Sequence, residues 1–170
     1  MTMQMNEQFD LAFNFLQNTG THLFLTGKAG TGKTTFLKRL KEVSPKRMIV
    51  VAPTGVAAIN AGGVTIHSFF QLPFGPYIPS VSAAGNQSNN YSNKFSRDKI
   101  NIIRSLDLLV IDEVSMVRAD LLDAISDVLC RYKDRTKPFG GVQLLLIGDL
   151  QQLAPVAKDE DWNLLKDHYA

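Results

Sequence analysis

The chain has 170 residues, of which 45% are hydrophobic and 20% charged, so its length and composition predict one soluble domain with a substantial core. Its formal net charge of +2 excludes a polycationic coat, so any nucleic-acid site must be a local groove, and its single cysteine excludes an intramolecular disulfide. No apolar run approaches the ~20 residues of a membrane span and no signal peptide is evident, so we expect an intracellular, cytoplasmic protein with no membrane partner.

The predicted elements alternate between helices and apolar strands. Helices are predicted at 6–18, 33–42, 56–61, 65–71, 97–105, 119–132 and 161–169, and strands at 22–26, 48–52, 106–111 and 142–147. Each strand is almost continuously apolar, which is typical of a parallel sheet covered on both faces. The predicted fold class is therefore α/β, with a central parallel sheet flanked by helices. A Pro-, Ser- and Asn-rich stretch at 73–96 predicts a long surface loop.

The loop after the first predicted strand carries the most informative motif. Residues 27–34 fit the P-loop pattern G-x-x-x-x-G-K-[ST], between an apolar strand and a helix. Glycines let backbone N–H groups turn toward phosphate oxygens, Lys33 is expected to reach the β- and γ-phosphates, and Thr34 to hold Mg²⁺. The predicted nucleotide-binding residues here are Gly27, Ala29, Gly30, Thr31, Gly32, Lys33, Thr34 and Thr35. A helix-entry turn without a ligand is the alternative, which this context disfavours.

Two acidic residues follow the third predicted strand. Asp112 comes directly after an apolar run, and Glu113 follows it. In P-loop proteins an acidic residue at such a strand end organises Mg²⁺, so we assign Asp112 to the metal. We assign Glu113 to polarising the attacking water as general base, which favours hydrolysis over transfer to a substrate hydroxyl. Two solvated carboxylates at a strand end are the alternative interpretation.

Polar groups also follow the other strands. Gln152 lies just beyond the last predicted strand, where its amide could contact both water and the γ-phosphate and so sense hydrolysis. Small and hydroxyl residues at 52–58, together with 62–69, would allow close approach of a phosphate backbone. In that second stretch His67 and Phe69 could hydrogen-bond or stack. Polar turn residues and a satisfied core histidine with core aromatics are the corresponding alternatives.

Together these residues resemble the first RecA-like domain of superfamily-one DNA helicases, in the Pif-type branch related to RecD. The resemblance covers the chain from about residue 6 to its end, with five motifs in the family's order. The matching stretches are 27–34, 52–58, 65–69, 110–117 and 148–156, and 118–123 is similar to the family's signature helix. Residues 6–8 resemble a motif whose glutamine reads adenine, which assigns Gln8 to the base, and Gln152 stands in the γ-phosphate-sensing place.

The resemblance implies ATP and Mg²⁺ as cofactors and ATP-driven translocation on single-stranded DNA, typically 5′ to 3′, with duplex unwinding in genome maintenance. It makes Thr54, Gly55, His67 and Ser68 candidates for the DNA backbone track. The loop at 73–96 occupies the place where relatives carry an insertion near the strand-separating wedge.

The chain also departs from the family's pattern. Ala154 replaces a proline common there, and the family's first domain normally continues further, so we expect a sheet truncated at its C-terminal end. The second RecA-like domain is absent, and its arginines must then be supplied in cis or in trans. Such a charge is worth ~10³–10⁵ in rate where an arginine finger operates, so the isolated chain is expected to be weakly active or inactive. The alternatives are a non-catalytic nucleotide- or DNA-binding half, and a small P-loop phosphotransferase.

Overall fold

Five parallel strands form one sheet in this computed structural model, which describes residues 7–78 and 95–169. The strands are β1 (Leu23–Thr26), β2 (Met48–Ala52), β3 (Val64–Thr65), β4 (Leu108–Ile111) and β5 (Gln143–Gly148). Their order across the sheet is β1-β5-β4-β2-β3, and each neighbouring pair is parallel. This confirms the predicted α/β class.

Seven α-helices flank this sheet within the described part of the chain. They are α1 (Glu7–Asn18), α2 (Lys33–Val43), α3 (Gly55–Ala61), α4 (Ile66–Phe70), α5 (Arg97–Ser105), α6 (Ala119–Tyr132) and α7 (Asp159–Tyr169). The predicted helices agree with these to within two residues at either end. The sequence did not reveal β3, because a two-residue edge strand is too short to show a period.

The sheet separates two apolar cores, because successive side chains of a strand point to opposite faces. On one face Val110 of β4 packs with Leu16 of α1 and Phe36 of α2. On the other face Leu109 of β4 packs with the apolar sides of α4, α5 and α6, including Ile125. All four residues of β4 are buried, as expected for a parallel strand covered on both sides. The double cover holds the strand ends in fixed positions.

The amino edge of the sheet is closed by hydrogen bonds between distant segments. Gln143, the first residue of β5, is 3% exposed. Its amide nitrogen donates to the carbonyl of Thr21 at 2.7 Å, and its amide oxygen accepts from the Lys46 ammonium at 2.6 Å. Arg47 and Asp107, which precede β2 and β4, form a second link with an Nε–Oδ2 distance of 3.0 Å. The polar groups at this edge therefore have partners within the fold.

The carboxyl edge carries every motif that the sequence analysis singled out at a strand end. Since all five strands are parallel, their carboxyl ends meet on one side of the sheet. β5 lies between β1 and β4, with Thr26 of β1 in register with Gly148 of β5. Ligands of open α/β sheets bind outside the carboxyl ends of the strands.

Two further features concern the surface, namely the predicted loop at 73–96 and the apolarity of the helices. Most of the predicted loop at 73–96 lies outside the described residues, which include only 73–78 and 95–96 of it. Among the helices that the structure describes, none combines the length and the apolarity that crossing a bilayer requires.

Candidate nucleotide-binding site

The loop between β1 and α2 is a compact turn shaped by its glycines. Gly30 and Gly32 have φ angles of 80° and 92°, in the left-handed region that glycine adopts without strain. The Thr31 hydroxyl donates to the Lys28 carbonyl at 2.8 Å. A Cβ atom on Gly27 would lie 2.8 Å from the Thr31 hydroxyl oxygen, so a side chain there would displace that hydroxyl. The local geometry thus explains glycine at these positions.

Lys33, the first residue of α2, folds back onto this loop. Its ammonium donates to the carbonyl of Gly27 and, at 3.0 Å, to that of Lys28. Lys33 is the residue that the P-loop pattern assigns to the phosphates, and these two carbonyls hold its side chain over the loop. Both acceptors are neutral carbonyls of the loop, so phosphate oxygens could replace them and form stronger, charge-assisted bonds.

Helix α1 packs against the loop from one side. The Phe9 ring lies 5.2 Å from the Phe36 ring between centroids, and a Cβ atom on Gly32 would lie 3.2 Å from the Phe9 ring. Gln8 precedes Phe9 in the first turn of α1 and is exposed. The predicted adenine-reading residue is therefore on a helix that is fixed to the phosphate loop.

Asp112 follows β4 at the centre of the carboxyl edge. Its backbone N–H continues the sheet by donating to the Val51 carbonyl at 2.9 Å, and its carboxylate accepts from the Glu113 N–H at 3.0 Å. Burial raises the pKa of Asp112, and the Glu113 carboxylate raises it further. The Glu113 N–H and the positive charge of Lys33 act in the opposite direction. A cation bound here would relieve the cost of keeping this half-buried carboxylate ionised.

Glu113 has a backbone conformation that is rare for its residue type. Its φ of 52° lies in the left-handed region, and it precedes a short 3₁₀ helix, Val114–Met116. Non-glycine residues in this region cost about 1–3 kcal/mol and concentrate at functional sites. The turn directs the chain sharply away from β4 immediately after the two acidic residues.

Gly148 at the end of β5 packs against that same turn. A Cβ atom there would lie 3.1 Å from the Val114 nitrogen and 3.3 Å from the Ser115 nitrogen. Only glycine permits this approach without a shift of the neighbouring backbone. The stretches that the sequence analysis treated as two motifs, after β4 and after β5, are therefore in contact.

Asp149 is a charged residue of this edge that was assigned no role from the sequence. Its carboxylate accepts from the Gln151 N–H at 3.0 Å and from the Gln152 amide at 3.1 Å. These two bonds lower the pKa of Asp149, and the charges of Lys33 and Lys28 lower it further. Asp149 therefore hydrogen-bonds to the predicted γ-phosphate sensor Gln152 and lies within electrostatic range of the P-loop lysine. The proximity of Asp149 to Lys33 follows from the adjacency of β1 and β5, which no local sequence pattern encodes.

The residues present suit a magnesium ion. The Thr34 side chain is exposed, and hydroxyl and carboxylate oxygens such as those of Thr34 and Asp112 are the hard ligands that Mg²⁺ prefers. Within the described ranges no group of three or more His, Cys, Asp or Glu residues could hold a metal. A site with few protein ligands is typical of Mg²⁺ that is bound together with substrate phosphates.

The residues predicted to contact DNA follow β2 and β3, on the other half of the same edge. The Thr54 hydroxyl accepts from the Ala57 N–H at 3.2 Å at the start of α3, next to the exposed Gly55. His67 and Ser68 belong to α4, which directly follows β3. The charge of Lys33 thus acts on both Asp112 and Asp149, whereas these four residues follow the strands on the other half of the edge. Nothing in their geometry identifies a nucleic-acid contact by itself.

Known proteins resemble the chain over most of its length. The model of the PIF1-like helicase family matches residues 3–164. The ATP-dependent DNA helicase PIF1 of Candida albicans is 38% identical over 146 residues, which are 82% of this chain and 15% of that protein. Its namesake from Homo sapiens is 41% identical over 142 residues, 82% of this chain and 21% of that protein. The chain thus spans about a fifth or less of these relatives.

Solved structures give the same result. Pif1 from Bacteroides sp in complex with ADP-AlF4 has a TM-score of 0.89 at 48% identity, covering 98% of this chain and 37% of that one. Bacteroides Pif1 bound to single-stranded DNA has a TM-score of 0.88 with the same identity and coverage. The fold, the order of the motifs and the family match agree, and we conclude that the chain belongs to the PIF1-like helicase family.

Proposed function

We propose that this chain is the ATP-binding motor domain of a DNA helicase. In the complete protein it would hydrolyse Mg-ATP to move 5′ to 3′ along single-stranded DNA and unwind duplexes in genome maintenance. The observation that carries the proposal is Lys33, whose ammonium bonds to the phosphate-loop carbonyls and whose charge lowers the pKa of both Asp112 and Asp149. Relatives named ATP-dependent DNA helicases, and the relatives crystallised with ADP-AlF4 and with single-stranded DNA, support it.

The proposed roles follow the chemistry of each side chain. Lys33 would exchange its loop carbonyls for phosphate oxygens, and the loop N–H groups would bind the other phosphate oxygens. Mg²⁺, held through Thr34 and Asp112, would neutralise charge that develops on the phosphates. Glu113 would accept a proton from the attacking water. Gln152, held by Asp149, would report the state of the γ-phosphate to the DNA-facing half of the edge.

The proposed DNA track uses Thr54, Gly55, His67 and Ser68, as the family resemblance implies. All four follow β2 or β3, so bound DNA would lie beside the nucleotide on the same edge of the sheet. A second RecA-like domain, in cis or in trans, would supply the arginine charge that this edge needs for fast hydrolysis.

Steady-state ATP hydrolysis by this chain tests the proposal, measured with and without single-stranded DNA and with Lys33→Ala as the blank. Turnover above the blank that DNA stimulates would establish ATPase activity in the chain itself. ATP binding without turnover would agree with a motor half that needs its partner domain. Loss of DNA-stimulated turnover even after adding the separately produced remainder of the protein would contradict the proposal.

A phosphotransferase is the competing enzyme class. Glu113 beside Asp112 favours water over a substrate hydroxyl as the acceptor, and membership of a helicase family argues in the same direction. Transfer of the γ-phosphate to a nucleoside monophosphate, in the absence of hydrolysis, would replace the helicase proposal with this one.

A further inference from the structure

The short segment after α4 exposes a large aromatic ring. Phe74 is 90% exposed, the highest value among the exposed large hydrophobic residues of the described chain. Single apolar side chains on a surface need no explanation when their backbone is unconstrained. This one belongs to a backbone segment that several buried groups hold in place.

An ion pair with one fully buried partner holds the backbone that directly follows Phe74. Arg118 and Asp120 pair at 2.8 Å, and Asp120 is 2% exposed. The Arg118 guanidinium donates to the Gly75 carbonyl at 3.0 Å, and the Asp120 carboxylate accepts from the Tyr77 N–H at 2.9 Å. Desolvating such a pair is costly, so its bonds to the segment indicate that the position of the segment matters.

The ring itself is oriented by a stack. The His67 and Phe74 rings lie 4.7 Å apart between centroids with 23° between their planes. Burial, and then the charge of Arg118, lower the pKa of His67, so the imidazole is uncharged at neutral pH. One face of Phe74 therefore rests on a flat neutral ring, while the 90% exposure leaves its other face open to solvent. His67 follows β3 at the same edge as the proposed DNA track.

We propose that the open face of Phe74 stacks on a nucleobase of single-stranded DNA, extending the His67–Phe74 pair to three rings. The inference rests on the proposed function and adds to it a subsite for a base, beside the residues assigned to the backbone. Stacking on an aromatic ring tolerates every base, because each has a π face, so this contact suits a protein that moves along DNA of any sequence.

Binding of labelled oligothymidylate, measured by fluorescence anisotropy, tests the subsite in Phe74→Ala and in Phe74→Leu, which keeps apolar bulk without the ring. We expect each to weaken binding roughly 5- to 150-fold, the range for loss of one base–aromatic stack. Phe74→Trp should bind like wild type. The slope of affinity against salt should not change, because Phe74 neutralises no phosphate.

Phe15→Ala is the matched control, since it removes a 40% exposed phenylalanine whose carbonyl accepts from Gln143 at the opposite edge. It should leave DNA affinity unchanged. An abasic oligomer of equal length separates stacking from indirect effects, because it removes the base that would stack. Wild type and Phe74→Ala should therefore bind the abasic oligomer with equal affinity.

The outcomes distinguish this inference from the function on which it rests. Wild-type affinity in Phe74→Ala and Phe74→Leu, or an equal loss on the abasic oligomer, would overturn the stacking subsite and leave the helicase proposal intact. Absence of DNA binding by the wild-type chain would overturn both.

Discussion

Two aspartates at opposite ends of one strand show how the two edges of the sheet differ. Asp107 precedes β4 and Asp112 follows it. Hydrogen bonds from Arg47 hold the pKa of Asp107 below its usual range, whereas burial raises the pKa of Asp112. The fold thus stabilises the charge of the first carboxylate and leaves the second short of positive partners. That shortage is what a magnesium ion would relieve.

The hydrogen bonds at the two edges differ in the same way. At the amino edge Gln143 joins segments more than ninety residues apart in sequence, through Lys46 and Thr21. At the carboxyl edge, within the described residues, Lys33 and Asp149 bond to groups of their own loops, no more than six residues away. Long-range bonds hold the fold together, while local bonds of a surface loop can be exchanged for a ligand. The predictions below test this division of roles.

The largest expected effect is on hydrolysis. Glu113→Gln should retain ATP binding and lower turnover by about 10²–10⁴, the usual contribution of a general base. Turnover by wild type and variant, in the presence of DNA and the remainder of the protein, measures this. Unchanged turnover would remove Glu113 from the mechanism.

Two lysines, one at each edge, sharpen the comparison. Lys33→Ala should weaken Mg-ATP binding by about 100-fold, because it removes a charge-assisted bond to phosphate, with little change in unfolding free energy. Lys46→Ala should lower the unfolding free energy and leave Mg-ATP affinity unchanged, because its ammonium bonds to buried Gln143. Calorimetric titration and urea unfolding of both variants measure the two effects. If both variants changed Mg-ATP affinity and unfolding free energy equally, the two edges would not have separate roles in binding and in stability.

Loss of the buried amide should affect stability alone. Gln143→Leu removes the partner of the Thr21 carbonyl and one of the two acceptors of the Lys46 ammonium, which keeps its bond to the Thr19 carbonyl. The change should cost about 1–3 kcal/mol of unfolding free energy. Gln152→Leu is the control at the carboxyl edge, where the side chain is exposed and a change within about 0.5 kcal/mol is expected. Urea unfolding of both variants measures this. A larger loss of unfolding free energy in Gln152→Leu than in Gln143→Leu would contradict the assignment of stability to the amino edge.

The smallest effect is the pH dependence of the two aspartates. Because the folded pKa of Asp107 is lowered, its carboxylate stabilises the fold above the unfolded pKa of 3.8, and that stability is lost as pH falls through the folded pKa. Because the folded pKa of Asp112 is raised, the fold gains stability as pH falls through that raised value. Asp107→Asn should therefore destabilise the chain at neutral pH, with an effect that shrinks in acid. Asp112→Asn should not destabilise it there.

Urea unfolding at pH 7 and at about pH 4, near the unfolded carboxyl pKa, measures both variants. Destabilisation by Asp112→Asn at neutral pH would show that its charge is already satisfied within the fold. The same variant should lose Mg²⁺-dependent nucleotide affinity, which separates a ligand-binding charge from a structural one.

The sequence by itself determined four of the five strands, most helix bounds and the P-loop pattern. These are local properties, since an apolar run, a helical period and the spacing of glycines around Lys33 depend on neighbouring residues alone. The same local logic placed Asp112 and Glu113 at a strand end and supported the family resemblance, which the family match confirms.

Only the tertiary structure decided which strand ends are neighbours. Strand order is a matter of pairing between distant segments, and no local period encodes that β5 lies between β1 and β4. That order places Asp149 within electrostatic range of Lys33 and Lys28, and it packs Gly148 against the turn after Glu113. The ion pair of Arg118 and Asp120, which holds the segment around Phe74, likewise joins residues more than forty positions apart. The motifs could be predicted from the sequence because each depends on neighbouring residues. Their arrangement around one site could not, because it depends on packing across the sheet.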